Sequence, residues 1–191
     1  MIILIFLVCF GTLRSAYAIF LKLSPQQIQY AIEYGKKSKG EGVAKFYQSW
    51  TVSLGRGKGS ASLFTPFINI AHKARKCAVE RREMSEFDIQ QALGYDNTLA
   101  FSVTVYGDTF NFAIYHTAKL LQKNTYILPV FEFKPDIADA SEFWPESPSE
   151  MARLVFKFPA DDIDPNELAT LIVIAPGGEE TSFPFDLEKI K

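Results

Sequence analysis

The stretch 98-TLAFSVTVYGD-108 decides the fold class. Leu99, Phe101, Val103 and Val105 alternate with Ser102, Thr104 and their neighbours. A period of two places one apolar row on one face of a β-strand. Gly107-Asp108 reads as a hairpin turn, and 110-FNFAIYHT-117 as the returning strand. Toward the C-terminus, strands are predicted at 126–134, 153–158, 170–175 and 181–187, with Gly177-Gly178 marking the last hairpin. Short strands separated by Pro and Gly predict an antiparallel sandwich.

Upstream of residue 95 the period is helical. Ser24, Pro25 and Gln27 form a helix start with a capping box. Thr65 and Pro66 open the clearest helix, with Phe67, Ile70, Ala71, Ala74, Cys77 and Ala78 on one face. Ser85 and Asp88 cap a shorter helix that Gly94 stops. Between them, 45-KFYQSWTVSL-54 fits both periods and is read as a strand near its end; 60-SASLFT-65 alternates and pairs with it as a hairpin. The expected fold is therefore α+β: N-terminal helices and a hairpin packed on an antiparallel β-sandwich, for which an immunoglobulin-like arrangement is one form.

The first residues carry a third signal. An uncharged apolar run at 2–13 is followed by Ala16-Tyr17-Ala18, the small-x-small pattern a signal peptidase requires. The run is short for a membrane span, which needs about 20 residues. The expected organisation is a signal peptide at 1–18, cleaved after Ala18, a helix-rich basic region at 19–94 and a sandwich region at 95–191. That predicts a periplasmic or secreted protein with no stable span after cleavage. The mature chain keeps one cysteine, Cys77, so no internal disulfide can form. Its position on the apolar stripe predicts an inert buried thiol.

The glycine-rich segment 53-SLGRGKGSASLFTPF-67 invites a phosphate-loop reading. Lys58 is followed by Gly59 and not by Ser or Thr, and a strand-like run intervenes before the helix. A basic hairpin tip is expected instead. Net charge is −2, which makes nucleic acid an unexpected partner. The charge is unevenly placed: residues 19–82 hold 12 Lys/Arg against 3 Asp/Glu, and residues 132–191 hold 5 against 14. Such a split marks either an anionic surface as partner or an internal complement between the two halves.

Ligand-binding candidates follow from this split. Arg56 and Lys58 sit on the hairpin tip, and His72, Arg75 and Arg82 share a stripe of the main helix on which no acidic partner is legible. Phe143 and Trp144 stand in a long acidic, proline-bearing stretch, where an exposed aromatic would anchor a partner. Asp161, Asp162, Asp164 and Glu167 are spaced closely enough to suggest Ca²⁺, although the EF-hand order is absent; no other cofactor is expected. His72 and Cys77 are five apart and point to different sides of a helix, so no Cys–His pair forms. The expected function is an exported, non-catalytic binding or assembly module with an envelope protein or an anionic surface as partner. The alternative is an envelope polymer hydrolase with paired carboxylates, which requires a concave site where two carboxylates face each other.

Overall fold

A computed structural model describes residues 21–94 and 96–190. The expected signal segment lies outside the described residues. Helices form where the caps predict. In α1 (Pro25–Lys37), the Ser24 hydroxyl accepts from the Gln27 amide, and Gln27 Oε1 accepts from the Ser24 amide at 2.7 Å. In α3 (Pro66–Val79), the Thr65 hydroxyl accepts from Ile68 N. In α4 (Glu86–Leu93), Ser85 and Asp88 cap each other reciprocally. Phe67, Ile70, Ala71, Ala74 and Cys77 of α3 are buried. Helix α1 crosses α3 at Gly35, where any Cβ would lie 2.1 Å from the Ala71 carbonyl oxygen. Only glycine permits that approach.

The ambiguous segment resolves as both periods in turn. Val43–Tyr47 forms α2, a single 3₁₀ turn follows, and β1 covers only Thr51–Ser53. Phe46 and Trp50, on the helical part, are buried with Tyr34 and Phe67, and the Trp50 and Phe67 rings stack at 6.2 Å.

The strands form two antiparallel sheets. The first contains β1, β2 (Ser60–Phe64), β3 (Thr98–Gly107), β8 (Glu150–Pro159) and β6 (Phe131–Phe133) in that order, with β7 (Asp139–Ala140) also on β8. The second runs β10 (Glu180–Asp186), β9 (Leu168–Ile174), β4 (Thr117–Gln122) and β5 (Thr125–Ile127). Since β1 and β2 come from the basic front half, the two halves of the chain share one sheet. The core lies between the sheets. Leu63, Leu99, Phe101, Leu154, Phe156 and Phe158 face Leu120, Leu171, Val173, Phe183 and Phe185. The Phe101 ring meets Phe185 of the other sheet at 5.2 Å, edge to face. Each buried side chain of this size contributes about 2–3 kcal/mol by leaving water.

Two sequence expectations are corrected. Gly107-Asp108 is not a hairpin turn, and 110–116 is not a strand. Successive turns hold it, with Phe112 N on Thr109 O and His116 N on Ala113 O, and burial falls on Ala113 and His116, three apart. Strand β4 then enters the second sheet, against β9. The expected single strand at 126–134 is split. Pro129 can donate no ladder hydrogen bond, and the chain passes there from β5 in one sheet to β6 in the other.

Candidate functional site

Antiparallel pairing fixes which residues share the outer face of the first sheet. One row runs Ser53, Ser60, Thr104, Arg153, each directly opposite the next. The next runs Thr51, Ser62, Ser102, Val155, Phe133. A third runs Phe64, Ala100, Lys157, Phe131. Six hydroxyls thus form two parallel rows beside one guanidinium, and Thr51 and Ser62 are bonded to each other at 2.7 Å. This face is walled by α2, α3 and α4. It forms a depression of about 840 Å³ bounded by Val43, Tyr47 and His72, and another of about 790 Å³ bounded by Asn69, Gln91 and Leu93. Phe64 and Arg153 line both, so the two make one open groove.

Charge in the groove is sparse and mostly committed. Lys157 holds Asp96 at 2.5 Å, and Lys73 holds the buried Asp88 at 3.1 Å. Among the described residues Asp96 is the sole carboxylate lining the two depressions, so paired carboxylates do not meet there. Arg153 is exposed and forms no ion pair among the described residues. At the wall, the Tyr47 hydroxyl lies 2.6 Å from His72 Nδ1. Partial burial, then Arg75, Lys76 and Lys73, push the His72 pKa below 6.5. Burial raises that of Tyr47 above 10, so both groups are neutral at pH 7.

Most residues singled out in the sequence are engaged elsewhere. Arg75 donates to the carbonyls of Ser38 and Glu41 and lies over the Phe46 ring at 5.3 Å, tying α3 to the turn after α1. Arg82 does have acidic partners: it forks onto both oxygens of Asp88 and reaches Glu80. The turn that brings Asp88 back to Arg82 is invisible to helical spacing. Arg56 pairs with Glu142 at 3.0 Å and lies over the Phe143 ring at 4.8 Å. Phe143 is half-buried against Gly57 and Tyr106, whereas Trp144 is 64% exposed. Lys58 is exposed on the hairpin tip. Asp164 and Glu167 both bind Lys123, and Asp161 accepts from Asn97. Asp162 is exposed, and the four do not converge; no group of three His, Cys, Asp or Glu able to hold a metal exists among the described residues.

A second surface was not anticipated. Tyr126, Leu128, Val130, Phe131, Phe133 and Ile137 are all exposed in and around the segment that joins β5 to β6, Leu128 at 69% and Phe133 at 52%. Strands β5 and β6 are the edge strands of their sheets, so this side joins two edges. Tyr126 lies on the outer face of one sheet, opposite Leu121, and Phe131 and Phe133 on the outer face of the other. The loop 109–116 reaches it through Ala138 N on Phe110 O, adding exposed Phe110 and Tyr115. The sequence signal was available: 126-YILPVFEF-133 is apolar at positions that alternation alone would give to solvent.

Among the described residues, no helix is long and apolar enough to cross a membrane. No family model matches the sequence, and no curated protein matches it. Two solved structures are similar to part of it. One is the archaellum periplasmic stator protein FlaG from Sulfolobus acidocaldarius: 13% identity, TM-score 0.30, covering 48% of this chain and 89% of that one. The other is the archaellum periplasmic stator protein complex of FlaF and FlaG from the same organism: 14% identity, TM-score 0.30, covering 53% and 100%.

Proposed function

We propose that this chain is an exported, non-catalytic assembly module of the cell envelope, joining a protein partner through the apolar side formed by β5, β6 and the segment between them. One observation carries the reading: Tyr126, Leu128, Val130, Phe131 and Phe133 stand exposed where two sheets present their edges. Monomeric soluble proteins rarely leave such a surface uncovered, and natural edge strands are shielded by charge, proline or bulges. Export is supported by the apolar run at 2–13 and the Ala16-Tyr17-Ala18 pattern. A non-catalytic role is supported by the commitment of Asp96, Asp88, Asp164 and Glu167 to lysines.

The test is the size of the native particle. Envelope extracts of the natural host carrying wild-type protein should show it in an assembly larger than the 21.5 kDa chain. The doublet Phe131→Ser/Phe133→Ser should fold with an unchanged melting temperature and migrate alone. Wild type migrating alone under gentle extraction would count against the proposal.

A further inference from the structure

The groove between the first sheet and the helices adjoins the apolar side, where Val155 and Lys157 face Phe133 and Phe131 across β8 and β6, but its hydroxyl floor lies on the other strands. Its floor differs from an ordinary solvent-facing sheet, which carries long charged side chains. Here Ser53, Ser60 and Thr104 lead to Arg153 in one row, and Thr51, Ser62 and Ser102 fill the row beside it. Adjacent strands lie about 4.8 Å apart and same-face neighbours along a strand about 7 Å apart, so the hydroxyls form a lattice of donors that are also acceptors. Tyr47 and Phe64 stand at its margin with ring centroids 5.7 Å apart. Arg153 projects into this lattice with no carboxylate to hold it among the described residues.

We propose that this groove binds a carboxylated oligosaccharide. A planar guanidinium matches a carboxylate in a two-point fork, which fixes the acidic group at one end of the hydroxyl rows. Sugar hydroxyls both give and accept hydrogen bonds, as the floor does. The apolar C–H face of a pyranose ring covers an aromatic face, which Tyr47 and Phe64 supply. The groove is open and long, with depressions of about 840 and 790 Å³ that meet, so it takes an extended chain. A peptide fits less well. An extended peptide draws its affinity from main-chain bonds to a sheet edge, and a helical one from an apolar trough. The floor is the face of a sheet, and it is lined with hydroxyls. The binding is non-covalent: among the described residues the groove lining holds no second carboxylate beside Asp96 to act on a glycosidic bond.

The experiment is calorimetric titration of the full mature chain with three probes: a short oligogalacturonate, its methyl ester, and oligoglutamate. The free acid should bind saturably. The methyl ester should bind at least about tenfold more weakly, as expected when one charge-assisted fork is lost. Oligoglutamate, which has the charge without the sugar, should also be weaker by at least that factor. Arg153→Gln, at an exposed position, should melt like wild type and lose about tenfold in affinity for the acid. Ser62→Val/Ser102→Val should weaken the acid and its ester alike. Absence of saturable binding of oligogalacturonate, equal binding by Arg153→Gln, or oligoglutamate as tight as the sugar would each overturn the assignment.

Discussion

The Tyr47 hydroxyl lies 2.6 Å from Nδ1 of His72, tying α2 to α3 at the rim of the groove. With His72 neutral and protonated on Nε2, the tyrosine donates and Nδ1 accepts. Burial and three neighbouring cations, Arg75, Lys76 and Lys73, disfavour the imidazolium. His72 should therefore titrate below 6.5 in an NMR pH series; a midpoint at or above that value would contradict this environment. Tyr47→Phe should cost about 1 kcal/mol, the net value of one hydrogen bond, read from urea denaturation.

A second histidine sets the acid limit. His116 is buried, with Nδ1 lacking a partner among the described residues, and burial lowers its pKa below 6.5 against weaker support from backbone groups of Ala113 and Phe112. The unfolded chain takes up this proton first as pH falls. Stability present above about 6.5 is therefore lost as pH drops from there toward the folded value. Asp88 acts in a lower window. Arg82 and Ser85 hold its carboxyl well below the usual 3.8, so its contribution is lost only as pH falls below that value. Urea midpoints should fall between pH 7.5 and 5.5 for wild type and fall less for His116→Gln. A wild-type midpoint that is flat across this interval would refute the assignment.

The hairpin tip should separate geometry from charge. The Arg56–Glu142 pair is exposed, so Arg56→Ser should change stability by no more than about 0.5–1 kcal/mol. Gly59 has φ of +97°, and a Cβ there would lie 2.9 Å from the Thr104 carbonyl oxygen of the paired strand. Gly59→Val should cost more than about 1 kcal/mol through strain at that φ. Thermal denaturation of the two variants checks the order, and a larger loss from Arg56→Ser would reverse the argument.

How much of this was legible in the sequence depends on the range of the interactions. Caps are local, so Ser24, Thr65 and Ser85 marked three helix starts correctly. Alternation marked β2, β3, β8 and β10 because each has one buried face, and β9 showed as a continuous apolar run because Leu171, Ile172 and Val173 are all buried. It failed at 110–116, where apolar residues pack in turns, and at Pro129, where the chain changes sheets. The groove was not readable, because its rows are assembled across strands from residues 51 to 155 and polar positions on a strand look alike whether they meet solvent or a wall. The engagement of Arg75 and Arg82 was missed for the same reason: Ser38, Glu41 and Asp88 reach them through turns.

Thiol counting tests export and burial together. Cys77 is fully buried, so the native protein should resist a thiol reagent. The sequence holds two cysteines, and cleavage after Ala18 removes Cys9. Protein from the exported fraction should therefore show one reactive thiol per chain in urea. Two would mean that the first residues are retained, and rapid native labelling would contradict the packing of α3.

The claim that the β5–β6 side carries a protein partner is tested most directly by photo-crosslinking in intact cells. A photoreactive residue is placed at Val130, between the two edge strands, and in a control at Glu179, exposed in the turn between β9 and β10. The account predicts a discrete adduct of constant mass from position 130 and none from position 179. Equal labelling at the two positions, or no adduct at either, would contradict it.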